Sequence, residues 1–125
     1  MTGSAAALET HPHVRRAVRY ALERKATEVT LLDLRSISSA TDFFVIATGR
    51  SDVQVRAIAE HIVDSAKRDG ARPEHIEGLD QGRWVLLDYI DYVVHVFHPA
   101  VREFYRLESL WGDAVATVFG QDVKS

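Results

Sequence analysis

Six consecutive residues, Phe43-Phe44-Val45-Ile46-Ala47-Thr48, run straight into Gly49-Arg50-Ser51 and then into a stripe at Val55, Ile58, Ala59, Ile62, Val63 and Ala66. The first block is apolar on successive residues, which marks a strand covered on both faces. The stripe has the spacing of an amphipathic helix three turns long. Ser51 and Gln54 form a capping box at its start. Lys67 and Arg68 suit its last turn, and Gly70 closes it. A doubly covered strand feeding a helix requires a sheet with helices packed on it.

The remaining elements fall around this unit. Residues 1–10 are small and polar and read as a flexible arm. Pro12 suits the first turn of a helix, and Val14, Ala17, Val18, Ala21 and Leu22 give that helix an apolar stripe, with Arg15, Arg16 and Arg19 turned to water. Strands are expected at Val29–Leu34, His75–Leu79, Arg83–Tyr89 and Tyr92–His98, the last two joined across Ile90-Asp91. Pro99 ends the last strand and opens a final helix that can run through Trp111. The expected fold is α/β, a mixed five-stranded sheet in the order α-β-β-α-β-β-β-α. One domain spans 11–113, and 114–125 form a C-terminal tail. A chain of 125 residues fits a single domain.

The absence of cysteine excludes disulfides, thiol catalysis and thiolate metal sites. No apolar run is long enough to span a membrane, and the N-terminus lacks the charged and apolar regions of a secretory signal, so a cytoplasmic protein is expected. With 15 basic and 18 acidic residues the net charge is −3, which argues against free nucleic acid as the main partner. Gly49-x-Ser51 lies where backbone amides could hold phosphate, yet it lacks the glycines and lysine of a phosphate loop. Asp88 and Asp91 suggest a carboxylate pair, but their spacing separates them in an extended chain unless a turn intervenes. His11-x-His13 and His95-x-x-His98 each lack an obvious third ligand. His95 sits within Val93-Val94-His95-Val96-Phe97, where a hydrogen bond inside the sheet is expected. No catalytic, cofactor-binding or metal-ligating residue is assigned.

Residues 81–125 hold eight of the eleven aromatic residues and six acidic against four basic side chains. On a helical wheel from Val101, Phe104, Tyr105, Leu107, Leu110 and Trp111 spread over an arc of about 220°, too wide for one buried stripe. Glu108 falls inside that arc. Either the helix breaks after Tyr105, or part of an aromatic surface awaits a partner, with Trp84, Tyr105 and Trp111 as anchors.

The run Thr41-Asp42-Phe43-Phe44-Val45-Ile46-Ala47-Thr48-Gly49-x-Ser51, followed by Glu77-Gly78, Trp84-Val85-Leu86-Leu87-Asp88-Tyr89, Val94-His95-Val96 and Arg102-Glu103-Phe104-Tyr105-x-Leu107-Glu108-x-Leu110-Trp111, resembles the ribosomal silencing factor (RsfS, Iojap-like) family. The resemblance covers about Ala21 to Asp113. It departs at Ile90, where many members place glycine, and this leaves the hairpin type open. The resemblance implies a nucleotidyltransferase-like architecture without the catalytic carboxylates, and a non-enzymatic role. It implies binding to the large ribosomal subunit through ribosomal protein fourteen, which blocks joining of the small subunit and represses translation under nutrient limitation. Little direct nucleic-acid contact is then expected. Trp84, Asp88, Tyr105, Leu107 and Glu108 carry over as contact residues. Two other classes stay open: a nucleotide-binding or nucleotidyl-transferring enzyme using Gly49–Ser51 with Asp88 and Asp91, and a homodimer that uses the aromatic surface on itself.

Overall fold

The computed structural model describes residues 11–106, 109, 111, 112 and 114–119, without the side chains of Phe104 and Tyr105. Helix α1 (Pro12–Glu23) leads into β1 (Thr27–Asp33) and β2 (Phe43–Thr48), then α2 (Asp52–Arg68). The short β3 (His75–Glu77), β4 (Trp84–Asp88) and β5 (Tyr92–Phe97) follow, then α3 (Pro99–Tyr105) and β6 (Val115–Phe119). The strands form one sheet in the order β3-β4-β5-β2-β1-β6. Only β2 and β5 pair in parallel; the other pairs are antiparallel. The sheet therefore has six strands and not five. The sixth takes residues 115–119 of the stretch read as a tail and pairs them with β1, from Val29↔Phe119 to Asp33↔Val115.

Helix α2 begins as its sequence dictates. Ser51 Oγ accepts the Gln54 amide at 3.1 Å, and Gln54 Oε1 accepts the Arg50 amide at 2.6 Å, one residue before the position that a capping box usually serves. Gly49 is needed because a Cβ there would lie 2.8 Å from the Val55 nitrogen. Helices α1 and α2 cover one face of the sheet. Between them and the strands lie Val14, Ala17, Val18, Ala21, Val55, Ile58, Ala59 and Ile62, packed on Val29, Leu31, Phe43, Val45, Val85, Leu87, Val94 and Val96. Tyr20 ties the two helices together through a short hydrogen bond to Asp69. The His11 ring meets Phe43 edge-on at 4.8 Å between centroids.

Among the described residues, the opposite face is covered only in part. Helix α3 starts with His98 accepting the Ala100 amide at 3.3 Å and ends at Tyr105, where Arg106 turns left-handed with φ 48°. The expected extension of this helix through Trp111 does not occur. Val101, Trp111 and Ala114 pack over Leu32, Leu34, Ile46 and Phe97. Arg102 holds α3 to the sheet: Nη1 donates to Thr48 Oγ1 and to the Glu28 carbonyl, both at 2.7 Å, and Nη2 donates to Thr30 Oγ1 at 3.1 Å. The Glu28 carbonyl is available because β1 carries a bulge between Thr27 and Thr30, with Glu28 at φ 49°.

Candidate binding face

Strand alternation decides which side chains meet on the partly covered face. On β4, Trp84, Leu86 and Asp88 turn to it, while Val85 and Leu87 enter the helix-covered core. On β5, Val93, His95 and Phe97 do the same, and on β2 Phe44 and Ile46. The register then places Trp84 opposite Phe97, Leu86 opposite His95 and Asp88 opposite Val93. A row of rings results. Trp111 meets Phe44 at 5.9 Å, Phe44 meets His95 at 4.6 Å, and Trp84 meets both His95 at 6.0 Å and Phe97 at 4.9 Å.

Beyond the reach of α3 this face holds an open depression of about 400 Å³. Phe44, Leu86, Val93, His95, Ile90 and Asp88 line it, with Trp111 and Thr41 at its edge. The lining is apolar apart from one imidazole, one carboxylate and small hydroxyls. His95 is 4% exposed, and its Nδ1 accepts the Trp84 Nε1–H at 3.1 Å, the hydrogen bond expected within the sheet. Burial holds the imidazole pKa down to about 4, so the ring is neutral at pH 7.

The β4–β5 hairpin that rims the depression answers the question raised by Ile90. The Asp91 amide donates to the Tyr89 carbonyl at 2.9 Å across Ile90, whose φ is 75°. This is the rare γ-turn with positive φ at its centre. Asp88 Oδ1 accepts the Ile90 amide at 2.8 Å, and Thr41 Oγ1 donates to the Ile90 carbonyl at 2.9 Å. The turn does not gather Asp88 and Asp91 into a metal site. Among the described residues, no three His, Asp or Glu side chains converge as ligands. Ser51 is engaged as a helix cap, so the Gly49–Ser51 turn serves the fold.

Of the five contact residues expected, the structure brings Trp84 and Asp88 onto one face, four residues apart along β4. Tyr105 ends α3, with its side chain outside the description. Leu107 and Glu108 lie outside the described residues. Phe44, Leu86, Ile90, Val93 and His95 were not expected at the site. The signal for His95 was present, as the one polar residue in an apolar run.

A family model described as "Ribosomal silencing factor during starvation" matches residues 7–125. The chain belongs to the RsfS family. It is 48% identical over 92 residues to the ribosomal silencing factor RsfS of Bacillus subtilis, covering 74% of this chain and 78% of that one. Against the RsfS of Halalkalibacterium halodurans it is 46% identical over 98 residues, covering 78% and 84%. A crystal structure of a Chromobacterium violaceum protein superposes with a TM-score of 0.79 at 33% identity, over 90% of this chain and 94% of that one. The RsfS fold is therefore a mixed α/β sheet in this chain also. No helix among the described residues is long and apolar enough to cross a membrane.

Proposed function

We propose that this chain docks on ribosomal protein fourteen of the large subunit through the face that carries Trp84 and Asp88, and so bars the small subunit from joining. Tyr105, Leu107 and Glu108 belong to the same proposed contact. What carries this reading is membership of the RsfS family along nearly the whole chain, including the stretches that build this face. The geometry suits it. Half-buried Trp84, braced by His95 and Phe97, is a rigid aromatic anchor, and interfaces concentrate their energy in such residues. Asp88 supplies charge that would steer the face toward a basic protein, in keeping with the chain's net −3. Steric blocking needs only a well-anchored body, so the role is non-enzymatic and calls for no catalytic group.

The test is sedimentation with separated ribosomal subunits. The chain pellets with large subunits and not with small ones, and lowers the yield of joined ribosomes when both are present. Asp88→Arg reduces both effects while the protein remains folded by circular dichroism. Failure of the unaltered chain to pellet with large subunits removes the reading.

A further inference from the structure

His95 carries a hydrogen-bond donor with no acceptor among the described residues. Trp84 Nε1–H can only donate, so Nδ1 must present its lone pair, and the neutral imidazole keeps its proton on Nε2. That atom is buried and has no hydrogen-bond partner among the described residues. A buried donor left unmade is costly to a fold, and such groups in native proteins call for an explanation. The other buried polar atom in this position, the Tyr89 hydroxyl, lies on the helix-covered side. His95 instead borders the open depression, between Leu86 on β4 and Ile46 on β2.

We propose that the depression is a socket for one aliphatic side chain of the docked protein, with the adjoining backbone carbonyl accepting the His95 Nε2–H. The inference rests on the docking face proposed above and adds the chemistry that the partner must present there. Three observations select this occupant. Phe44, Leu86, Ile90 and Val93 offer an apolar wall, which suits an alkyl group. His95, a lining residue, holds the one buried polar atom among the described lining residues that lacks a partner, and that atom is a donor, which calls for an acceptor and not for a second donor. The depression is also continuous with Trp84 and Asp88, so an extended segment lying across the face reaches it without a separate entry path. Nε2 is closed off by the side chains packed around the ring, so the occupant must part them.

Two arms test the socket. In the free chain, N-isobutylacetamide, which presents one branched alkyl group and one carbonyl, is titrated while the imidazole nitrogens are followed by 15N NMR. The His95 Nε2–H signal moves downfield on titration; no movement up to the solubility limit of the probe overturns the proposal. In the second arm, dissociation constants are measured with isolated large subunits. His95→Phe, which keeps a ring but loses both the Nε2–H donor and the Nδ1 acceptor of Trp84, weakens binding by about tenfold or more, at least the effect of one buried hydrogen bond. His95→Gln, which retains an N–H donor, restores part of that loss. Equal affinity for the unaltered chain and His95→Phe overturns the proposal, as does an ordered water on Nε2 in a crystal structure of the free chain. If His95→Phe fails to fold, the glutamine variant and the titration decide. If the unaltered chain ignores large subunits while the titration moves Nε2–H, the ribosomal reading falls and the socket stands.

Discussion

The two faces of this sheet are built on different rules. The face under α1 and α2 is sealed by aliphatic side chains, among them Val55, Ile58, Ala59 and Ile62, all fully buried on the strands below. Among the described residues, the other face carries the seven-residue α3, a row of aromatic rings, a buried arginine, a buried histidine with one idle nitrogen and an open depression. The first face is close-packed and mainly aliphatic, with the Tyr89 hydroxyl its one buried polar atom without a partner among the described residues. The other holds polar groups and aromatic surface that a core alone would not select. Departures from local consistency cluster where a protein does something besides fold, so the contrast separates a stabilising face from a working one.

The largest effect expected comes from the sealed face. Ile62→Ala removes buried methylenes from a close-packed layer and lowers stability by about 3–4 kcal/mol. Urea denaturation measures the loss. Affinity for large subunits, normalised to the folded fraction, stays unchanged. A drop in normalised affinity comparable to that of Asp88→Arg breaks the division between the faces.

A second effect, about 3 kcal/mol, belongs to the working face and reads out with pH. The unfolded chain takes up a proton on His95 near pH 6.5, but the folded chain only near pH 4, because burial opposes the charge. Acid therefore favours unfolding across that window. Stability is full above pH 6.5 and falls as the pH drops toward about 4. His95→Phe flattens this slope in denaturation curves taken between the two values. The ring meets Trp84, Phe44 and Phe97. The one charged side chain in the lining, Asp88, stands opposite Val93, one step along the same face. An unchanged slope in the variant assigns the acid sensitivity elsewhere.

How much of this was legible in the sequence follows the same division. Strand β2 was expected at Phe43–Thr48 and lies there, and α2 begins after Ser51 and ends at Arg68, because its stripe, cap and terminal charges all agree. Strand β6 was missed. It is an edge strand whose Val115, Ala116 and Val118 are exposed, so burial imposes little alternation on its residues, although a β-branched run was visible. The end of α3 is not legible in the sequence, because Arg106 adopts the left-handed turn without a glycine or asparagine to announce it. Trp84 and Asp88 could be placed on one face by alternation alone. The depression could not, since it depends on β5 and β2 lying parallel and side by side, a pairing between residues distant in sequence. His95 illustrates the limit. Its burial and its bond to Trp84 follow from a strand pattern, but the idle Nε2 depends on what the neighbouring strands fail to offer.

The smallest effect is the most discriminating, because it asks whether the working face gives up stability for shape. Ile90 is β-branched, 56% exposed and held at φ 75°, a conformation that glycine adopts freely and isoleucine does not. Few apolar contacts repay that strain, and a side chain this exposed contributes little to any core. Ile90→Gly relieves the backbone and, after the greater entropy of glycine in the unfolded chain, raises stability by about 1 kcal/mol in urea denaturation. The same substitution strips an aliphatic wall from the depression, so affinity for large subunits falls while stability rises. Opposite signs in the two measurements mean that the strained turn exists to present a side chain. A loss of stability means that Ile90 is held by packing and that the turn belongs to the fold. Unchanged affinity with a gain in stability confines the contact to Trp84 and Asp88 and leaves the hairpin outside it.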